Sequence, residues 1–166
     1  MPKAEGALPL PWKAVQIGRM DTGAGGTVEF RDGVFAVQGA GEMPSEKTGD
    51  AIYFIHRPLR GDGELVARIM SVDGTAAGLM VRASLETKAS MGAIFGQPRE
   101  VISFRSRFTL GRGDSRDRPY IALPRWVRLK REGSEVKGYL SWDSGEHWET
   151  FLKSKVSQCS PESHDK

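Results

Sequence analysis

Apolar and polar residues alternate with a period of two along most of this chain, and helical periodicity is nearly absent. In "VISFRSRFTL" (101–110), Ile102, Phe104, Phe108 and Leu110 share one parity, broken only by Ser106. Ser103, Arg105, Arg107 and Thr109 share the other. This predicts a strand with the first set in a core and both arginines on the opposite, outward face. "RWVRLKR" (125–131) repeats the pattern, with Val127 and Leu129 inward and Arg128 and Lys130 outward. In the following segment Tyr139 has the parity opposite to Val136 and is expected outward beside Lys137. Trp142 goes with Val136 and Leu140, inside or at the end of a sandwich.

The same reading predicts about ten short strands: 27–30, 34–37, 51–56, 64–72, 77–83, 90–95, 101–110, 126–131, 136–142 and 147–152. Gly and Pro punctuate them every eight to twelve residues, the rhythm of an all-β sandwich or barrel. Arg31-Asp32-Gly33 supplies the positive φ angles of a hairpin turn. The best helical candidate, 83–88, is too short to stand alone. Strands without crossover helices pair mostly antiparallel. The fold expected is therefore all-β, an antiparallel two-sheet β-sandwich. Residues 1–11 read as a lead-in segment, 12–155 as the β-sandwich domain and 156–166 as a polar tail.

Composition adds bounds. The 166 residues suffice for one domain with a sizeable core, and 39% apolar with 27% charged residues is ordinary for a globular protein. No apolar run approaches the roughly 20 residues of a membrane helix. The N-terminus lacks the apolar stretch of a signal peptide. One cysteine, Cys159, forms no internal disulfide, and three histidines with it leave little material for a zinc cage. No cofactor or metal is expected, although an all-oxygen metal site is left open. The charge changes the picture more. Net charge is only +3, yet residues 99–131 hold nine Arg and one Lys against three acids, a local excess of seven. If the strands carrying Arg105, Arg107, Arg128 and Lys130 are neighbours, their cations form one basic patch, an anion-binding face or a solvated, aggregation-resistant one.

Four stretches in order, "GGTVEFRDGVFAVQGAGEM", "TGDAIYFIHRPLRGDGELVARI", "AAGLMVRASL" and "PRWVRLKREGSEVKGYLSWDSGEHW", resemble a concanavalin A-like jelly-roll module of large bacterial exported or surface proteins. The resemblance spans roughly residues 12–155. It implies a jelly-roll topology, an extracellular or cell-surface location, neighbouring domains in a parent protein, and a core ion pair between Asp50 and Arg82. The chain departs from the family at Val72-Asp73-Gly74-Thr75, where members commonly carry Trp-Ala-Lys. Members also continue through further strands, so a truncated end and self-association through an open sheet edge are expected.

Two Arg-Gly-Asp triplets, 60–62 and 112–114, spell an integrin-adhesion motif. Their Gly/Asp/Ser-rich surroundings predict turns instead. "SWDSGEHW" (141–148) resembles the Asp-box hairpin of sialidase propellers, with Asp143, Gly145 and Trp148 in its structural positions. One box makes no propeller, so a structural turn is expected. Glycoside hydrolysis needs two carboxylates facing each other across a cleft, and no paired-carboxylate strand motif appears. The expectation is a non-catalytic recognition module that binds carbohydrate. Arg105, Arg107, Arg128, Lys130 and Tyr139 would contact the ligand, and the basic patch would favour an acidic glycan. The alternative is a structural or protein-interaction module with no small ligand. Exposed aromatics are too sparse for specific nucleic-acid binding, and no membrane association is expected.

Overall fold

The computed structural model describes residues 8–18 and 25–156; the first seven lead-in residues, Cys159 and the tail from 157 to 166 lie outside the described residues. Every regular element described is a strand. They run β1 (Lys13–Ile17), β2 (Thr27–Arg31), β3 (Val34–Gln38), β4 (Ile52–His56), β5 (Gly63–Ile69), β6 (Ala77–Arg82), β7 (Met91–Gln97), β8 (Val101–Arg107), β9 (Ser115–Arg118), β10 (Arg125–Glu132), β11 (Glu135–Ser141) and β12 (Glu149–Lys155). Two four-stranded antiparallel sheets, β12-β11-β10-β5 and β6-β7-β8-β9, are accompanied by the pairs β1-β4 and β2-β3. The β2-β3 hairpin turns at Asp32-Gly33, both with positive φ, as its sequence predicts.

The alternating residues of both large sheets meet in one core. Ile94, Ile102 and Phe104 come from β7 and β8; Val127, Leu129, Val136, Leu140 and Phe151 come from β10, β11 and β12. The architecture is a β-sandwich. Close approach of the sheets depends on Gly138, where a Cβ would lie 2.8 Å from the Phe104 ring. Burying Phe104 completely is worth about 1.5–3 kcal/mol, so any side chain at 138 would displace a large share of the contact energy.

A second apolar cluster lies on the far face of β6 and β7, where Met80, Met91, Ala93 and Phe95 pack against Ile52 and Phe54 of β4. Strands β7 and β8 are therefore covered on both faces, as their nearly continuous burial shows. This overturns part of the alternation reading. Arg107 is fully buried rather than outward. Phe108 and Leu110, expected in the core, are exposed, because β8 stops at Arg107 and a tight turn follows, with the Phe108 amide bonded to the Arg112 carbonyl. Trp142 is also half exposed, at 52%.

Candidate functional site

The four cations of the expected patch do not come together. Arg105 and Arg107 stand on β8, whose neighbours are β7 and β9; Arg128 and Lys130 stand on β10, between β11 and β5. They occupy different sheets.

Arg107 belongs to a buried cluster around Asp50. Its Nη1 and Nη2 donate to the two Asp50 carboxylate oxygens at 2.9 and 2.7 Å, and Arg82 Nη1 donates to Oδ2 at 2.6 Å. The remaining donors of Arg107 reach the carbonyls of Ser45, Thr48, Thr87 and Ala89. Arg82 is likewise tied to the carbonyls of Ser84 and Glu86. The Asp50–Arg82 pair expected from sequence is present, with a second arginine added. Arg107 is saturated in this way, and the cluster ties β6 and β8 to the loops at 45–50 and 84–89 while lying almost wholly out of reach of solvent. Arg105 is equally committed: it pairs with Asp117 at 2.8 Å. That bond, reinforced by one from Ser103, pulls the Asp117 carboxyl below its usual range.

Arg128, Lys130 and Tyr139 share the outward face of the β12-β11-β10-β5 sheet. Register places Arg128 opposite Tyr139 on one side and Val66 on the other. The guanidinium lies 5.2 Å from the Tyr139 ring centre and 5.9 Å from that of Trp148. Its Nε donates to Glu64 Oε2 at 2.7 Å, and Nη2 bonds the same oxygen. Lys130 pairs with Glu132 at 2.5 Å, which raises the lysine and lowers the glutamate from their ordinary values. Lys137 adds a longer contact to Glu132 at 3.5 Å. The face is thus a pair of aromatic rings around a flat, carboxylate-anchored arginine, with its charges largely neutralised in place. Glu64 and Trp148 were not among the expected contact residues. Glu64 lies 64 positions from Arg128, and only strand pairing brings the two together.

Trp148 is delivered by the Asp-box turn. Asp143 Oδ1 accepts from the His147 amide at 2.8 Å and the Ser141 hydroxyl at 2.9 Å, while Oδ2 meets His147 Nδ1 at 2.5 Å. The backbone and ring bonds from His147 hold the Asp143 carboxyl down at about 2. Asp143, Glu146 and His147 each bring one ligand-type atom within 4.8 Å of the others, all on the exposed turn. Beside it Arg125 stacks on Trp142 at 4.3 Å, and Trp142 Nε1 donates to Glu149.

Both Arg-Gly-Asp triplets are built into turns. Asp114 Oδ2 accepts from Ser154 at 2.5 Å, and its amide donates to Ser106 Oγ at 2.9 Å. A Cβ on Gly113 would lie 1.9 Å from the Ser106 carbonyl oxygen, so the triplet is pressed against β8. Asp62 Oδ1 caps the β10-β11 turn through the Gly133 amide at 2.7 Å. Each aspartate is thus engaged within its own fold.

The chain matches no family model, no curated protein and no solved structure.

Proposed function

We propose that this domain is a non-catalytic recognition module that binds carbohydrate, on a sandwich of jelly-roll, concanavalin A-like type. The observation that carries the reading is the outward array of Tyr139, Arg128, Trp148 and Glu64. Aromatic rings take the C–H faces of a sugar, while a fixed guanidinium and carboxylate offer donors and acceptors to its hydroxyls. A neutral glycan suits the array better than the acidic one expected from composition. Glu64 and Glu132 already occupy Arg128 and Lys130, and Arg105 and Arg107 lie elsewhere.

A screen against immobilised neutral and acidic glycans tests the proposal. Binding that is lost in Tyr139→Ala and Arg128→Ala, with folding intact, is the expected result. Silence across the whole set would overturn it in favour of a protein-interaction module. That second reading draws on the apolar residues exposed on β3, where Val34 is 55% and Val37 48% exposed.

A further inference from the structure

At one end of the sandwich, away from the Arg128 face, a cleft of about 310 Å³ opens between the β5-β6, β7-β8 and β9-β10 connections. Its apolar wall includes Val72 and Leu123, and Ser71, Gln97, Arg99 and Glu100 supply polar groups. Two features converge there. Arg99 and Glu100 both have positive φ, 65° and 59°, as does Tyr120, at 63°. Side-chain-bearing residues adopt this region at a cost, and a turn needing it is normally filled by Gly, Asn or Asp. The Glu100 carbonyl accepts from the Ile121 amide at 2.9 Å, so the two strained segments are fastened to each other.

The second feature is what these residues leave unused. Among the described residues, no side-chain hydrogen bond or ion pair engages Arg99, Glu100 or the Tyr120 hydroxyl; the exposed Arg60, Arg68 and Arg112 are likewise unengaged, so it is the positive φ at 99, 100 and 120 that sets this group apart. Tyr120 is 89% exposed, directly before the buried Ile121 that anchors its loop. A strained backbone that holds an unpaired cation and anion at an open cleft, with the exposed Tyr120 on the loop fastened beside them, is arranged for contact with something outside the chain. Arg99 and Glu100 cancel in charge, which selects against a simple anion or cation. What they offer together is donors and acceptors to a ligand rich in both.

We propose that this cleft is a second saccharide-binding site, in which Arg99, Glu100 and Ser71 bind the hydroxyls of one neutral sugar unit and Tyr120 packs on its ring or on the next. The proposal rests on the carbohydrate reading above but uses none of the same residues. It makes an unusual demand: replacing the strained pair by residues suited to positive φ should weaken binding while leaving the fold as stable or more so.

The test uses the 166-residue chain, its double variant Arg99→Asn/Glu100→Gly, and the single variants Tyr120→Ala and Tyr139→Ala. Cello-, xylo-, malto- and chitotetraose are titrated separately, followed by amide ¹H–¹⁵N shifts and by calorimetry. At least one tetrasaccharide should move the amides of residues 99–101 and 120–123. The double variant and Tyr120→Ala should each weaken that binding at least about tenfold, with a melting temperature in the double variant equal to or above the parent's. Shifts confined to residues around Arg128 and Tyr139, lost only in Tyr139→Ala, would overturn the cleft and leave the carbohydrate reading standing. No shift with any of the four sugars would overturn the cleft, and silence in the glycan screen as well would remove the broader reading with it. If the double variant melts lower, Tyr120→Ala decides: unchanged affinity in that variant overturns the proposal.

Discussion

Two arginine clusters built on the same alternating pattern end in opposite surroundings. Arg107 on β8 and Arg128 on β10 each occupy the non-core parity of a strand whose other parity fills the sandwich. Arg107 is fully buried and bonded to Asp50 and four carbonyls; Arg128 is 22% exposed, lies near two aromatic rings and is paired with a half-exposed glutamate. The difference comes from what covers each sheet. Strand β4 lays Ile52 and Phe54 over the second face of β6 and β7, and the loops at 45–50 and 84–89 close around Arg107. No strand among those described covers the outward face around Arg128. Burial turns one cation into a structural rivet and leaves the other on an uncovered face beside two aromatic rings.

The sharpest way to break this comparison is Asp50→Ala. It strips the counter-charge from two buried arginines and should cost about 3–5 kcal/mol, read from urea unfolding. Asp50→Asn, nearly identical in shape, should lose a similar amount; retention of most of the stability there would mean that packing, not charge, holds the cluster. Next comes Asp114, an exposed residue whose carboxylate is nonetheless tied to Ser154. Asp114→Ala should cost about 1–2 kcal/mol, while Asp114→Glu should leave cell attachment unchanged if the triplet is a turn and not an adhesion signal.

Arg128 supplies the contrast. Glu64→Gln or Arg128→Ala should lower stability by less than about 1 kcal/mol, as expected of a half-exposed ion pair, yet abolish glycan binding at that face. A stability loss near that of Asp50→Ala would erase the distinction between the two clusters. The smallest effect concerns Asp143, whose folded-state carboxyl sits at about 2 against an ordinary 3.8. A depressed value means that its contribution is full above the ordinary value and is lost as pH falls through about 2. The melting-temperature difference between the parent and Asp143→Asn should therefore be constant above pH 4 and shrink toward zero below it.

Period-two alternation, glycine punctuation and the Asp32-Gly33 turn determined the all-β, antiparallel class and most strands, because these signals are local. Asp50 and Arg82 were legible as a pair through the resemblance, and Tyr139 as outward through its parity. Two strands were missed. "SRDR" of β9 carries no apolar residue; it forms because it pairs with β8 and because Arg116 and Arg118 stack on Phe151 of β12, 5.7 and 5.6 Å away. The other, β1, pairs with β4 across a long stretch of sequence. Which cations share a surface was not legible either. Parity says that a side chain leaves the core but not whether a further layer waits on the other side, and it says nothing about which strands become neighbours. That depends on strand order, set by long-range pairing and by the burial that each arrangement achieves. Tertiary structure therefore decided that Arg107 is a core residue, that Glu64 and Trp148 meet Arg128, and that Arg99, Glu100 and the loop of Tyr120 gather at one end of the sandwich.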